Sequence, residues 1–320
     1  MGGEVDMTTE QTVALEFAKY RLKTERKRII ALGLFDSVHL GHRSIIDYTF
    51  ETAKRLNMTP AILTFDNDFF SALGRSDKLI YTLHERVKIL EELGFSNQNI
   101  LVQPSDVQYM SLSGEDFVRY LKQLNAGAVV CGGDYRFGKG GKWGAADLCK
   151  LSRDYGIAPF VCPLIKEWDR KISSSDIREY LGIGEVKLAA HFLGRYFSVS
   201  GEVVHDRGVG KSFGLPTANI LTDPRKILPA DGVYDTRAII GGKIYPSVTN
   251  VGSRPTFGEN KGAVETHIIN FDGDIYEREL TVIFVERLRG IFKFDSKEEL
   301  RRQILSDIET VRKNMKRNNI

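Results

Sequence analysis

ALGLFDSVHLGHRSII, Ala31–Ile46, runs from an apolar stretch through a short loop holding His39-Leu40-Gly41-His42 into the opening of an amphipathic helix. A strand that enters a helix this way aims two imidazoles and the helix's free N–H groups at one point beyond a sheet's carboxyl edge, where open α/β sheets bind ligands. Gly41 removes a side chain that would block close backbone approach, and His39 and His42 can donate hydrogen bonds to phosphate oxygens. Two histidines on a loop are also compatible with a plain surface turn. The strand-loop-helix context favours an anion site.

Outward from this segment, β-rich runs at Ile29–Leu34, Ala61–Phe65, Ile100–Val102, Ala128–Cys131 and Ala158–Val161 alternate with helical windows at Arg43–Leu56, Leu83–Leu93, Glu115–Leu124 and Ala145–Tyr155. That alternation predicts an α/β doubly wound parallel sheet. Thr82 with Glu85 and Ser113 with Asp116 carry the spacing of helix N-caps. After Gly194 the texture turns β-branched and aromatic, in runs at Tyr196–Val204, Val233–Ile239, Ile244–Val248, Val264–Phe271 and Leu280–Val285. Gly241-Gly242 and Asp272-Gly273 suit two-residue hairpin loops, so an antiparallel β-barrel is expected. A C-terminal helix opened by Asp295 or Ser296 would lay Ile304, Ile308 and Val311 on that barrel. The boundary falls near Val186–Gly194, giving domains of residues 1–186 and 187–320.

Composition excludes several classes. The 320 residues hold 45 basic and 42 acidic side chains, a net charge of +3, too balanced for a nucleic-acid or membrane partner. Cys131, Cys149 and Cys162 show neither CxxC spacing nor an even count, which fits a reducing cytoplasm better than a disulfide framework. Met1–Arg28 contains no apolar signal core, and no later run approaches the roughly 20 apolar residues that span a bilayer. Oligomeric state is not legible.

A second site candidate lies in GEVVHDRGVGKSFGLPTAN, Gly201–Asn219. Gly210-Lys211-Ser212 imitates the end of a Walker A loop, but the leading glycine is His205, and Gly214 and Pro216 forbid the required helix. What remains is a loop of Gly208, Gly210 and Gly214 whose amides, with Lys211, can wrap phosphates. Pro216 sets a turn that presents Thr217 and Asn219 as hard oxygen ligands for Mg²⁺. A hairpin turn with a capping asparagine is the alternative on residues alone.

GLFDSVHLGH, Gly33–His42, resembles the HxGH signature of class I nucleotidyltransferases, in the GxFDGxHxGH form of bacterial bifunctional riboflavin kinase/FAD synthetases. TFD at Thr64–Asp66, GGDYRFGKG at Gly132–Gly140 and ISSSDIR at Ile172–Arg178 follow in the family's order. GKSFGLPTAN, Gly210–Asn219, resembles the riboflavin kinase GRxLGFPTAN motif. DGVYDTRA (Asp231–Ala238) and NVGSRPTFG (Asn250–Gly258) match further strands of it. The resemblance implies FMN adenylyltransfer in the first domain and riboflavin phosphorylation in the second, with ATP as co-substrate, Mg²⁺ as the metal, and riboflavin, FMN and FAD as substrates or products.

It also implies roles. His39 and His42 would hold the ATP phosphates together with Gly33, Phe35 and Gly41, and Ser173, Ser174, Ser175 and Arg178 would bind the triphosphate. Glu265 would be the kinase's general base, Thr217 and Asn219 its metal ligands, and Asp134, Phe137 and Arg254 flavin contacts. For Asp134 and Phe137, a turn residue and a core aromatic are the competing roles, and Trp143 reads as packing. Lys211 and Phe213 depart from the kinase motif's arginine and leucine, and Asp206 stands where the family has glycine. In the first domain, Ser37 replaces glycine, Asn67-Asp68-Phe69 replaces Pro-His-Pro, and Asp176 replaces arginine, setting Asp68 and Asp176 near phosphates. Two narrower readings keep the same fold: a kinase whose adenylyltransferase is weakened, and a non-catalytic flavin-binding regulator.

Overall fold

The computed structural model describes residues 26–163, 165–167, 170–205, 215–253 and 262–318. Contacts divide the chain into two compact units, one of residues up to Phe35 with Gly41–Asp77 and Val87–Lys171, the other of Asp36–Leu40, Lys78–Arg86 and everything from Ile172. Two short segments of the N-terminal half thus cluster with the C-terminal half.

The first unit is the expected parallel sheet. Its strands are β1 (Arg28–Leu32), β2 (Thr59–Phe65), β3 (Ile100–Gln103), β4 (Ala126–Gly132) and β5 (Ala158–Cys162), in the order β3-β2-β1-β4-β5. β1 and β4 are buried at every position, as central strands covered on both faces must be. Helices α1 (Leu40–Leu56), α2 (Leu83–Glu92), α3 (Gly114–Gln123) and α4 (Ala145–Asp154) stand at the predicted places, each within a few residues of the expected bounds. Ser113 caps α3 by accepting from the Asp116 amide at 3.1 Å. At the head of α2, the Thr82 amide donates to Glu85 Oε2 at 2.9 Å. Strand order reverses between β1 and β4, so the loops leaving those two strands flank the switch point where such sheets take ligands.

In the second unit, α5 (Ser174–Gly182) and α6 (Val186–Leu193) precede β6 (Phe197–Val204), β7 (Ala218–Leu221), β8 (Gly232–Ile240), β9 (Lys243–Ser253), β10 (Gly262–Ile268) and β11 (Glu279–Arg289). These strands close into a barrel in the order β6-β7-β10-β9-β8-β11. Its interior holds Phe197, Val199, Tyr234, Val264, Leu280, Val282 and Phe284, each burial contributing about 1.5–3 kcal/mol. Helix α7 (Lys297–Asn318) starts where the Glu299 amide meets Ser296 Oγ at 3.1 Å, and Ile308 and Val311 pack on Val233 and Val248.

The barrel departs from two expectations. Gly241 and Gly242, at φ +56° and +78°, do form a two-residue hairpin, with Ile240 paired to Lys243. Asp272-Gly273 does not. β10 ends at Ile268, β11 begins at Glu279, and β11 pairs with β6 and β8, so this stretch is a longer connection between non-neighbours. Nor is Asn219 part of a turn after Pro216: it lies inside β7, a strand the sequence reading omitted.

The segment Lys78–Arg86 is tied to the barrel by a buried ion pair. Lys226 Nζ donates to Glu85 Oε2 and to the Ile80 carbonyl, both at 2.7 Å, and lies 4.9 and 4.7 Å from the ring centroids of Tyr81 and Phe197. Glu85 Oε1 accepts from the Ser200 amide at 2.9 Å. Burial pushes the Lys226 amine below its ordinary value, against the opposing pull of Glu85.

Candidate active sites

The loop after β1 is built under strain. Phe35 and Val38, neither of them glycine, have φ of +54° and +44°, and Phe35, Asp36, Ser37 and Val38 are fully buried, with His39 at 6% exposure. A β-branched residue in this region is disfavoured by contact between its own Cβ and the backbone. Ser37 is not in the left-handed region, so serine fits where the family has glycine. The loop delivers Gly41 and His42 into the first turn of α1, which holds no acidic residue, so its N-terminal amides suit an anion. The Phe35 ring lies 5.1 Å from the His42 imidazole, and Gly33 leaves room for that ring, since a Cβ there would come within 3.0 Å of it.

In the second unit, the loop Asp36–Leu40 meets the start of α5. Ser174 Oγ donates to Asp36 Oδ1 at 3.0 Å and lies 2.9 Å from Ser37 Oγ. Because an ionised carboxylate only accepts, the single Ser174 proton goes to Asp36, and Ser37 donates to Ser174. Arg178 pairs with Asp36 and gives its Nε–H to the Lys78 carbonyl at 2.7 Å. Asp36, which the sequence reading did not single out, is therefore the anchor that joins the FDS and SSSDIR motifs. Asp176 takes the Ser173 hydroxyl at 2.7 Å while its amide gives back to Ser173 Oγ at 3.2 Å. The departure from arginine has made an N-cap pair.

In the first unit, Asp66 accepts from the amides of Asp68 and Ser105 at 3.1 and 3.0 Å, which makes TFD a loop organiser. Asp68 precedes the short helix Phe69–Ala72, and its carbonyl accepts the Ser71 hydroxyl at 2.8 Å. After β4, Asp134 is half exposed and pairs with Lys171. Phe137 is 5% exposed, packed on Phe117 at 4.8 Å and Trp143 at 6.3 Å. Phe137 and Trp143 thus support the loop that carries Asp134.

The barrel gathers its candidates by strand register. Asn219 of β7 pairs with Glu265 of β10, which pairs in turn with Asn250 of β9, placing three polar side chains in one row. Val264, Thr266 and Ile268 are buried inward, so Glu265 points to the outer face, half buried. Thr217 Oγ1 donates to Glu265 Oε1 at 2.6 Å, and His267 Nδ1, two residues along, lies 2.9 Å from the Pro216 carbonyl and fixes the approach to Thr217. Asn250 and His267 escaped the sequence reading, although pairing NVG with VETH as adjacent strands would have revealed Asn250. Gly208, Gly210, Lys211 and Gly214, with Asp206 and Phe213, and likewise Arg254, lie outside the described residues. Thr217 and Asn219 supply only hard oxygens beside a carboxylate, a donor set that fits Mg²⁺ held mainly by water and phosphate.

Residues 21–176 match the family model described as FAD synthetase, and residues 193–315 the one described as riboflavin kinase. The bifunctional riboflavin kinase/FMN adenylyltransferase of Bacillus subtilis (strain 168) is 32% identical over 93% of this chain and 96% of its own length. The chain belongs to this bifunctional family. The Escherichia coli (strain K12) protein of the same name is 30% identical, covering 89% of the chain and 91% of that relative. A crystal structure described as a macrolide-efflux protein from Streptococcus pneumoniae is 31% identical, with a TM-score of 0.82, covering 91% of this chain and 96% of that one. No helix among the described residues is long and apolar enough to cross a membrane. Family membership carries both the parallel-sheet and the barrel half, and the departures at Ser37, Asp68 and Asp176 sit inside that framework.

Proposed function

We propose that this chain phosphorylates riboflavin to FMN on the barrel and adenylylates FMN to FAD at the β1–α1 loop, using ATP in both steps. The observation that carries it is the Thr217–Glu265 hydrogen bond of 2.6 Å within the Asn219–Glu265–Asn250 row. Glu265 accepts the proton of the flavin's terminal ribityl hydroxyl while that oxygen forms a bond to the γ-phosphorus and ADP departs. Thr217 orients the carboxylate. Thr217 and Asn219 would hold Mg²⁺, which neutralises charge on the phosphate oxygens when bound. Gly208, Gly210, Lys211 and Gly214 are assigned to wrapping the phosphates.

In the second reaction, an FMN phosphate oxygen attacks the α-phosphorus of ATP and pyrophosphate leaves. His39, His42 and the α1 amides bind the triphosphate, with Gly33, Phe35 and Gly41 shaping the approach and Ser173, Ser174, Ser175 and Arg178 completing it. Asp134 and Arg254 are assigned to the flavin, with Phe137 packed behind Asp134. The functional border is placed at residue 186. Unpaired thiols at Cys131, Cys149 and Cys162 support a cytoplasmic setting. Purified protein given riboflavin, ATP and Mg²⁺ is expected to yield FMN and then FAD. Accumulation of FMN alone would remove the second activity, and no ATP consumption with any flavin would remove both.

A further inference from the structure

We infer that Arg195, which lies within the stretch matched to riboflavin kinase, is a positioning residue for adenylyl transfer. The inference rests on the reading of the β1–α1 loop as the adenylyl site. Arg195 Nη2 donates to the Ser37 carbonyl at 2.6 Å, and Nη1 donates to the Val38 carbonyl at 2.9 Å and to the Leu193 carbonyl at 3.2 Å. Its planar fork thus grips two consecutive peptides immediately before His39, and ties them to the C-terminal end of α6.

The grip falls where the backbone needs it. Val38 is a fully buried β-branched residue at φ +44°, a conformation that costs about 1–3 kcal/mol and persists only when its surroundings over-determine it. Relaxing it to the ordinary region turns φ by about 100° and re-aims the peptide that leads into His39. Other groups hold the loop at its start: the Tyr81 amide donates to the Asp36 carbonyl at 3.0 Å, and Ser174 and Arg178 take the Asp36 carboxylate. At Val38 itself, the hydrogen bond described is the one from Arg195. The guanidinium carbon lies 5.2 Å from the Tyr81 ring centroid, which fixes its plane.

The neighbouring residue is committed to the same junction. Gly194 has φ +68°, closing α6, and a Cβ there would stand 2.5 Å from Leu40 Cδ2. Leu193, Gly194 and Arg195 therefore form one brace against Asp36–Leu40. A chain cut at the family border would keep His39 and lose what aims it.

The test uses the full chain with Arg195→Ala and Arg195→Lys. FAD formation from supplied FMN is measured beside FMN formation from riboflavin. A displacement of about 1 Å at a reacting group lowers the rate by about 100-fold. In Arg195→Ala, the kcat for FAD formation should fall by that order, with FMN formation within twofold of wild type. Arg195→Lys, a single donor in place of a fork, should fall between. Guanidinium ion at low millimolar concentration should restore part of the alanine variant's kcat and leave wild type unchanged. FAD formation within twofold of wild type in Arg195→Ala would overturn the inference. So would a parallel fall of both activities with the melting temperature, which would mean a structural role only. If wild type itself made no FAD from FMN, the adenylyltransferase reading would fail first, before any variant is compared.

Discussion

Exchange of Glu265 for glutamine removes a base and little else. The glutamine Oε1 still accepts the Thr217 hydroxyl where the carboxylate now does, at 2.6 Å, and the side chain keeps its volume on a half-buried strand face. Stability should therefore change by about 1 kcal/mol or less. A positioned general base contributes about 10²–10⁴ in rate, equivalent to roughly 2.7–5.4 kcal/mol of barrier at 1.36 kcal/mol per tenfold. Initial rates of FMN formation from riboflavin, with ATP and Mg²⁺ saturating, should drop by that factor, with the KM for riboflavin within a few-fold of wild type. FAD formation from supplied FMN should be unchanged, because it draws on other residues. An FMN-forming rate within tenfold of wild type, in protein that melts normally, would refute the assignment of Glu265 as proton acceptor.

His42→Ala is expected to lower FAD formation from FMN at least tenfold while riboflavin phosphorylation persists, read as the FMN-to-FAD product ratio; loss of both activities in folded protein would break the partition of roles. Glu85→Gln leaves the fully buried Lys226 ammonium without its counter-charge and should destabilise the barrel unit by about 3–5 kcal/mol at pH 7. The folded pKa of Lys226 lies below its ordinary 10.5, so between the two values the unfolded chain holds the extra proton and stability rises with pH. Removing Glu85, which pulls the amine upward, lowers its folded pKa further, so the variant gains more stability with rising pH than wild type does. Denaturant unfolding should show its deficit shrinking as pH rises from 7, and a constant or growing deficit would contradict the pair. Burial raises Tyr81 and Tyr234 to about 12, and holds Tyr109 and Tyr135 well above the ordinary phenol value. Stability conferred by these neutral phenols is complete below pH 10 and lost as pH climbs towards 12. Ultraviolet titration at pH 11 should find these four of the 12 tyrosines un-ionised in folded protein; uniform ionisation near pH 10 would count against their burial.

What the sequence disclosed depended on whether a feature is local. The sheet strands, α1 to α4 and the Gly241-Gly242 hairpin are written in periodicity and turn chemistry within a few residues, and they stand where expected. β7 is four residues long and follows Pro216 closely, so no alternation had room to appear, and Asn219 passed as part of a turn. Asp272-Gly273 has hairpin composition, but whether two runs pair is a property of barrel closure, which places β11 between β6 and β8. Glu85 has the spacing of a capping box and does form one; that its capping oxygen, Oε2, also meets a buried lysine 141 residues away and its Oε1 meets Ser200 is invisible to any local pattern. The candidate sites divide the same way. His39, His42 and Glu265 stand in dense motifs, whereas Asp36, Asn250, His267 and Arg195 act through partners distant in sequence.

The charge balance at the β1–α1 loop follows from those distant partners. Read along the chain, Asp176 sets a carboxylate where the family has arginine, among groups proposed to meet a triphosphate. In the fold, that carboxylate sits at the third position of α5, where the positive end of the helix favours an anion, and it accepts the Ser173 hydroxyl. Asp36 is matched by Arg178, and Ser37 adds a hydroxyl that donates into the same chain through Ser174. The Asp176 carboxylate thus accepts from Ser173 and the Ser37 hydroxyl donates to Ser174, each within the second unit. The Ser37 hydroxyl adds a hydrogen bond to the loop, and Asp176 one to the start of α5 that the loop meets; a loop holding Val38 at positive φ has need of such ties. Of the altered residues, Ser37 is the one tied into the same hydrogen-bond chain as Asp36, and on the proposed reading it serves the same end as Arg195, holding a strained backbone in the conformation that presents His39.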